Sequence, residues 1–230
     1  MFDYEAGLIW GEGTVSPRLG ARFDAVGRFL PEAGNTVVAQ VVPGSPTEAA
    51  LIALRADLMA LPHARHFAFT EVASYHMTVF EGATETRRQA EVWPGGLPLD
   101  LPMPAVTEAM VRRLGGWRAP PDFAMRITEV TPLGLRLAGV TPEDEDHARA
   151  WRNRLSVVFG LRAPNHESYG FHTTLAYCMT GLPREALAPL RARMADLTAR
   201  LQVQVPVLHL ARPAFCTFAD MNAFPPVHPL

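Results

Sequence analysis

Two short stretches of the chain carry side chains that a packed core has little use for. In SYHMTVFEG, residues 74–82, a histidine and a threonine stand two apart at His76 and Thr78, and SYGFHTTLAY, residues 168–177, repeats the pair at His172 and Thr174. Both stretches read as strands, and side chains alternate faces along a strand, so residues i and i+2 point the same way with Cα atoms about 6.5 Å apart. His76 and Thr78 therefore leave one face together, while Tyr75, Met77 and Val79 occupy the other. The same parity puts His172 and Thr174 on one face, opposite Phe171, Thr173, Leu175 and Tyr177. Such a strand makes sense where its polar face lines a groove. If the two polar faces oppose each other, one groove holds two imidazoles and two hydroxyls. That equipment suits displacement at phosphorus: a neutral histidine takes a proton from the attacking oxygen while a protonated one gives a proton to the leaving oxygen. Threonine hydroxyls hold the phosphoryl oxygens. The chemistry requires no metal, and the residues leave open which histidine is acid and which is base.

Chance explains one such motif but not the arrangement. Ser and Thr make up roughly an eighth of average sequence, so eight histidines give about one His-x-Ser/Thr match at random. Three occur, and the third, His166 to Ser168, sits in a loop-like stretch and is read as the chance match. A metal site is the competing reading, with Glu71, Glu81 or Glu167 joining the histidines. No HExxH or dense His/Asp cluster supports it.

The elements that must position these residues recur as well. After a short strand, NTVVAQVV (35–42), Ser45 caps a helix with Pro46 at its first position and Glu48 three after the cap. Leu51, Leu54, Leu58 and Leu61 give it an inward stripe. In the second half Thr141, Pro142 and Asp144 repeat the start, and Ala148, Trp151, Leu155 and Val158 repeat the stripe, with the acidic run Glu143 to Asp146 at the positive end of the helix dipole. From Pro46 to His76 is 30 residues, and from Pro142 to His172 is 30 again, an offset of 96 that points to an internal duplication. The apolar stripes are offset by 97.

Between and around these units, HFAFTEV (66–72), FAMRITEV (123–130), LGLRLAGV (133–140), VQVPVLHL (203–210) and AFCTF (214–218) read as strands. Further helices are expected from about Val106 to Leu114, stopped by Gly115 and Gly116, and from about Pro183 to Leu201 with Leu187, Leu190, Met194, Leu197 and Leu201 inward. Residues 1–35 read as an irregular arm around a short helix near Phe23 to Phe29, residues 93–104 as a long connection, and the end of the chain as a Pro-rich tail.

Composition narrows the functional classes. The chain has 230 residues, 48% of them hydrophobic, enough for a substantial core. The formal net charge of −2 offers no global attraction for duplex nucleic acid. Two isolated cysteines, Cys178 and Cys216, match no zinc or redox spacing and fit a reducing cytoplasm. The first residues, MFDYEAGLIWGEG, are acidic where a signal peptide needs basic groups, and no apolar run approaches the ~18 residues of a membrane span. The expectation is a monomeric, cytoplasmic protein with no membrane partner.

With its paired motifs HMTV and HTTL, the sequence resembles the two-histidine (2H) phosphoesterase superfamily, the LigT-like and cyclic phosphodiesterase proteins. GNTVV, SYHMTVFEG, WPGGLPLD and YGFHTTLAY look like an uncharacterised bacterial branch of it, over about residues 19 to 218. The resemblance implies a single bilobal α+β domain over residues 1–230, a pseudo-twofold duplicated fold whose antiparallel sheets line a central groove with helices packed outside. Its lobes would span 19–120 and 121–218, flanked by arms. It also implies a metal-independent hydrolase acting, without cofactor, on 2',3'-cyclic phosphates or related nucleotide and RNA termini, with His76 and His172 as the acid/base pair and Thr78 and Thr174 binding phosphate. The family tends to put the base in the second motif. Thr173 departs from the aliphatic residue common there, and the basic residues that some relatives use for longer RNA find no match, so a small nucleotide or a single RNA end is the expected partner. Phe218 and Trp10 are the aromatic candidates for stacking a base. Alternatives are a nucleotide-binding module without turnover and a metal-dependent hydrolase.

Overall fold

Nine strands and four α-helices run through residues 7–230, the part of the chain that the computed structural model describes; residues 1–6 of the expected N-terminal arm lie outside it. In chain order they are β1 (Gly34–Gln40), α1 (Pro46–Met59), β2 (Phe67–Phe69), β3 (His76–Thr84), α2 (Met103–Arg113), β4 (Met125–Thr131), β5 (Gly134–Gly139), α3 (Pro142–Phe159), β6 (His172–Thr174), β7 (Ala176–Cys178), α4 (Leu187–Gln204), β8 (Ala214–Phe218) and β9 (Pro226–Pro229). The fold is α+β with antiparallel sheets and no barrel. No helix among the described residues is long and apolar enough to cross a membrane.

The helix starts follow the local chemistry. Thr141 Oγ1 accepts from the Asp144 amide at 3.1 Å while Asp144 Oδ2 accepts from the Thr141 amide at 3.0 Å, a complete reciprocal cap. Ser45 Oγ accepts from the Glu48 amide at 3.2 Å, but the Glu48 carboxylate takes the Gly44 amide at 2.7 Å instead of closing on Ser45. The Ser45 amide is already committed to the Val42 carbonyl. α1 and α3 thus begin 96 residues apart, as do β3 and β6, which open on His76 and His172.

Strand order explains how two distant motifs meet. One sheet runs β3-β1-β8-β9, another β4-β5-β6, and β2 pairs with β7. β3 and β6, each at a sheet edge, pack against one another, while the β2–β7 pair joins the two halves of the chain. α2 covers β1 and β3, α3 lies on β3 and β5, and α4 lies on β4 and against α1. Leu51, Leu54 and Leu58 of α1, Trp151, Leu155 and Phe159 of α3, and Leu190, Met194, Leu197 and Leu201 of α4 are buried among the strands, a continuous apolar interior.

Three segments differ from the sequence expectation. No helix forms near Phe23 to Phe29, because the Asp24 carboxylate captures the Val26 and Arg28 amides at 3.0 Å each and turns the chain through Gly27 at φ 82°. Residues 203–210 are not a strand: α4 keeps its stripe to Leu201 and runs on to Gln204, and Pro206, lacking an amide proton, cannot join a ladder. Only Leu210 makes an isolated bridge, to Val41. The Pro-rich tail, in turn, contains β9, an edge strand where missing donors cost little. β8, which the sequence reading grouped with the second half, pairs with β1 of the first.

Residues Asn35 and Gly82 lock β1 to β3. Asn35 is fully buried, and its Oδ1 accepts from the Ala83 amide at 3.0 Å while its Nδ2 donates to Thr107 Oγ1 of α2 at 3.0 Å. A Cβ added at Gly82 would run into both the side chain and the carbonyl of Asn35. Gly82→Ala is expected to destabilise the protein by about 1–3 kcal/mol, as overpacking does. Urea denaturation measures this, and an unchanged midpoint would show that the two strands separate freely at this point.

Candidate active site

Each imidazole is held from behind by the chain that leads into its strand. A short 3-10 turn, Val72–Ser74, directs the Ser74 carbonyl at His76, whose Nδ1 donates to it at 2.6 Å. His172 Nδ1 donates to the carbonyl of Gly170 at 2.9 Å. A carbonyl can only accept, so in both rings Nδ1 carries the hydrogen. Nε2 is then the nitrogen left for chemistry, a proton acceptor in the neutral ring and a donor in the charged one. In His76 it accepts from the Thr78 hydroxyl at 3.1 Å.

His76, Thr78, His172 and Thr174 all line one cavity of about 520 Å³, so the four sequence-selected residues come together. Burial pushes the His76 pKa down to about 4, opposed by the Ser74 carbonyl and reinforced by the nearby His172. His76 is therefore neutral near pH 7. Phe224 packs on its ring at 4.2 Å between centroids, and Tyr169 lies 5.7 Å from the His172 ring. Burial pushes the Tyr169 phenol well above its ordinary range, which leaves it a hydrogen donor facing the same cavity.

A β-bulge determines what else β3 presents. Thr78 pairs with Val38 and Phe80 with Val37, so Val79 is the extra residue without a partner. Past it the alternation shifts by one: Glu81 joins His76 and Thr78 at the cavity, while Met77, Val79 and Phe80 are buried. Arg152 of α3, only 2% exposed, donates from Nη1 to the Val79 carbonyl at 2.7 Å. Its guanidinium sits 3.7 Å from the Tyr169 ring centroid. The orphan carbonyl of the bulge and the aromatic wall of the site are thus bound by one buried cation.

Sequence reasoning missed Arg152, Tyr169 and the cavity-lining Arg18, Arg22 and Arg87. For Arg152 a signal existed, since Trp151 and Leu155 bracket it on the buried side of α3. Phe218 does line the cavity, its ring tilted against Phe224 with centroids 5.3 Å apart, whereas Trp10 bridges to Leu182 and does not line it. His166 is buried away from the cavity, its Nε2 2.8 Å from Asn153 Oδ1. Thr173 is buried with its hydroxyl unpartnered, facing packing and not the site. Of the acidic candidates, Glu71 and Glu167 lie outside the cavity near Arg55 and Arg162, and Glu81 pairs with Arg87 at 3.6 Å. Among the described residues no three His, Cys, Asp or Glu are grouped as metal ligands would be.

The family model described as 2H-phosphodiest, a domain of unknown function (DUF1868), matches residues 22–136, half of the chain. The chain belongs to the 2H phosphoesterase superfamily. A crystal structure of a conserved protein of unknown function from Agrobacterium tumefaciens strain C58 matches with a TM-score of 0.95 and 40% identity, over 100% of this chain and 99% of that one. No curated protein matches. The matched segment of this 2H phosphoesterase family member contains His76 and Thr78 and ends before His172.

The lowered pKa of His76 has a consequence for stability. Its folded value, about 4, lies below the ordinary 6.5, so on acidification the unfolded chain takes up the proton first. The ring's contribution is complete above pH 6.5 and is lost as pH falls toward 4. In urea unfolding at pH 7.5 and pH 4.5, the wild type is expected to lose more stability than His76→Gln, which has no such proton to take up. Equal losses in both proteins would contradict the burial of a neutral ring.

Proposed function

We propose that this protein is a metal-independent phosphoesterase that opens 2',3'-cyclic phosphates or related cyclic phosphodiesters of nucleotides or RNA ends. The observation that carries the reading is the matched mounting of the two rings. Each has Nδ1 tied to a carbonyl two residues back and so offers Nε2 to one cavity that Thr78 and Thr174 also line. In this reading the halves of the chain are a duplicated pair of lobes about a central groove, with the 96-residue offset as the trace of the duplication.

The reaction follows from those groups. One neutral imidazole takes a proton from water as its oxygen bonds to phosphorus. The other, protonated, delivers its proton to the ribose oxygen as that P–O bond breaks, leaving a phosphomonoester. Charge gathering on the non-bridging oxygens is met by the hydroxyls of Thr78, Thr174 and Tyr169, positioned before the reaction starts. Two imidazoles supply both proton transfers, so the scheme calls on no cofactor. The protein acts as a monomer in a reducing cytoplasm, consistent with the free, buried thiols of Cys178 and Cys216.

His76→Ala and His172→Ala are each expected to slow turnover of adenosine 2',3'-cyclic phosphate in EDTA by about 10²- to 10⁴-fold. Circular dichroism serves as the check that each variant is folded. Full activity in either variant would remove the acid/base assignment, and binding of the cyclic nucleotide by wild type without product would turn the reading toward a sensor. Tyr169→Phe removes one donor while keeping the ring that Arg152 holds. It is expected to lower kcat, with KM little changed, and a rate equal to wild type would exclude the phenol from the reaction.

A further inference from the structure

The cavity also carries charge that two-histidine chemistry leaves unused. Arg18, Arg22 and Arg87 line it, Arg18 at its solvent-exposed rim and the other two partly buried. Two are committed to carboxylates. Arg22 donates from Nε and Nη2 to Glu32 at 2.6 and 2.8 Å, and Glu32, 3% exposed, accepts also from Thr86 Oγ1 at 2.5 Å. Arg87 meets Glu81 at 3.6 Å and donates to Thr84 Oγ1 at 3.3 Å. The guanidinium of Arg18, by contrast, has no hydrogen bond or ion pair among the described residues. Desolvation and the neighbouring charge of Arg22 hold its pKa below the ordinary arginine value, against the attraction of Tyr177 and Glu32. Three cations therefore share two carboxylates, and the excess charge faces the cavity.

The placement of this charge indicates what it would hold. His76 opens β3, and Glu81, which marks the position of Arg87, comes five residues later past the bulge. At a rise of about 3.3 Å per residue, Glu81 lies roughly 10–15 Å along the strand from His76, and Arg18 is near enough to Arg87 and Arg22 to feel both charges. Tyr177, Phe218, Met221 and Phe224 also line the cavity, as an aromatic and apolar wall. A cavity of about 520 Å³ has room for a group of nucleotide size beyond the reacting phosphate.

We propose that Arg18, backed by Arg22 and Arg87, forms a second anion subsite that takes a phosphate or diphosphate at the far end of a nucleotide whose cyclic phosphodiester lies between His76 and His172. The assignment of the near end rests on the phosphoesterase reading above. The subsite itself does not.

Inorganic pyrophosphate is the probe for the subsite alone. Calorimetry with wild type, Arg18→Gln and His172→Ala is expected to show binding that Arg18→Gln weakens about tenfold or more and His172→Ala leaves in place. No binding to wild type, equal binding to Arg18→Gln, or loss only in His172→Ala would overturn the subsite. Turnover then tests the two ends together, using adenosine 2',3'-cyclic phosphate with and without a 5'-diphosphate. Wild type should prefer the diphosphate-bearing substrate in kcat/KM, and Arg18→Gln should reduce that preference about tenfold, mainly through KM. An unchanged preference overturns the link between the ends. If neither substrate turns over while pyrophosphate still depends on Arg18, the phosphoesterase reading fails and the anion subsite stands.

Discussion

Two backbone carbonyls, those of Ser74 and Gly170, set the orientation of the two imidazoles that line the cavity of this fold. An imidazole on a free side chain can turn either nitrogen toward a ligand and can carry its proton on either. A carbonyl facing Nδ1 removes both freedoms, because that nitrogen must then bear hydrogen and Nε2 must face the other way. The two rings sit at the starts of edge strands from different sheets, β3 and β6, so each carbonyl belongs to the chain just before a strand begins. A ladder partner on that side would have claimed the same acceptor. Position at an edge and at a strand start thus fixes how the two rings face the cavity, and helices α2, α3 and α4 are free to bury the apolar faces elsewhere.

The bulge at Val79 extends this arrangement. It rotates the rest of β3 by one side chain, so an acidic residue that would otherwise enter the core reaches the cavity and holds Arg87 there. The carbonyl left over by the bulge would be costly if unmet in the interior. Arg152 meets it, and the same guanidinium lies on Tyr169 beside His172. Burying a guanidinium with no carboxylate partner is expensive. Here its charge is spread over an aromatic face and a carbonyl, in a position that couples the two motif-bearing strands through α3.

How much of this was legible in the sequence depended on how local the determinant is. The Ser45 and Thr141 N-caps, the leucine stripe of α1 and the His-x-Thr alternation are each set within a few residues and read correctly from the chain alone, apart from the Glu48 carboxylate, which turns to Gly44 and not to Ser45. The bulge could not be read, because an extra residue is defined only against a partner strand. Nor could the Asp24 turn be separated from a helix by an apolar pattern, since what ends the helix is a carboxylate capturing amides. Arg18, Arg22 and Arg87 sit in segments without periodicity and reach the cavity through loop paths that no spacing announces. Phe159 and Arg152 fall outside the stripe read from the sequence, whose Val158 is only half-buried, because the buried side of α3 is wider than the single stripe its leucine and tryptophan define.

The pairing of β1 with β8 carries a cost in time. Gly34 lies against Phe218, so one flank of the strand NTVVA waits for a partner made some 184 residues later. Until then a run of β-branched residues with free backbone groups stays open to any other extended chain, and closing so long a loop slows the search for the right one. A protein built this way is at its most vulnerable while it is being synthesised, before the last strand of the sheet has left the ribosome.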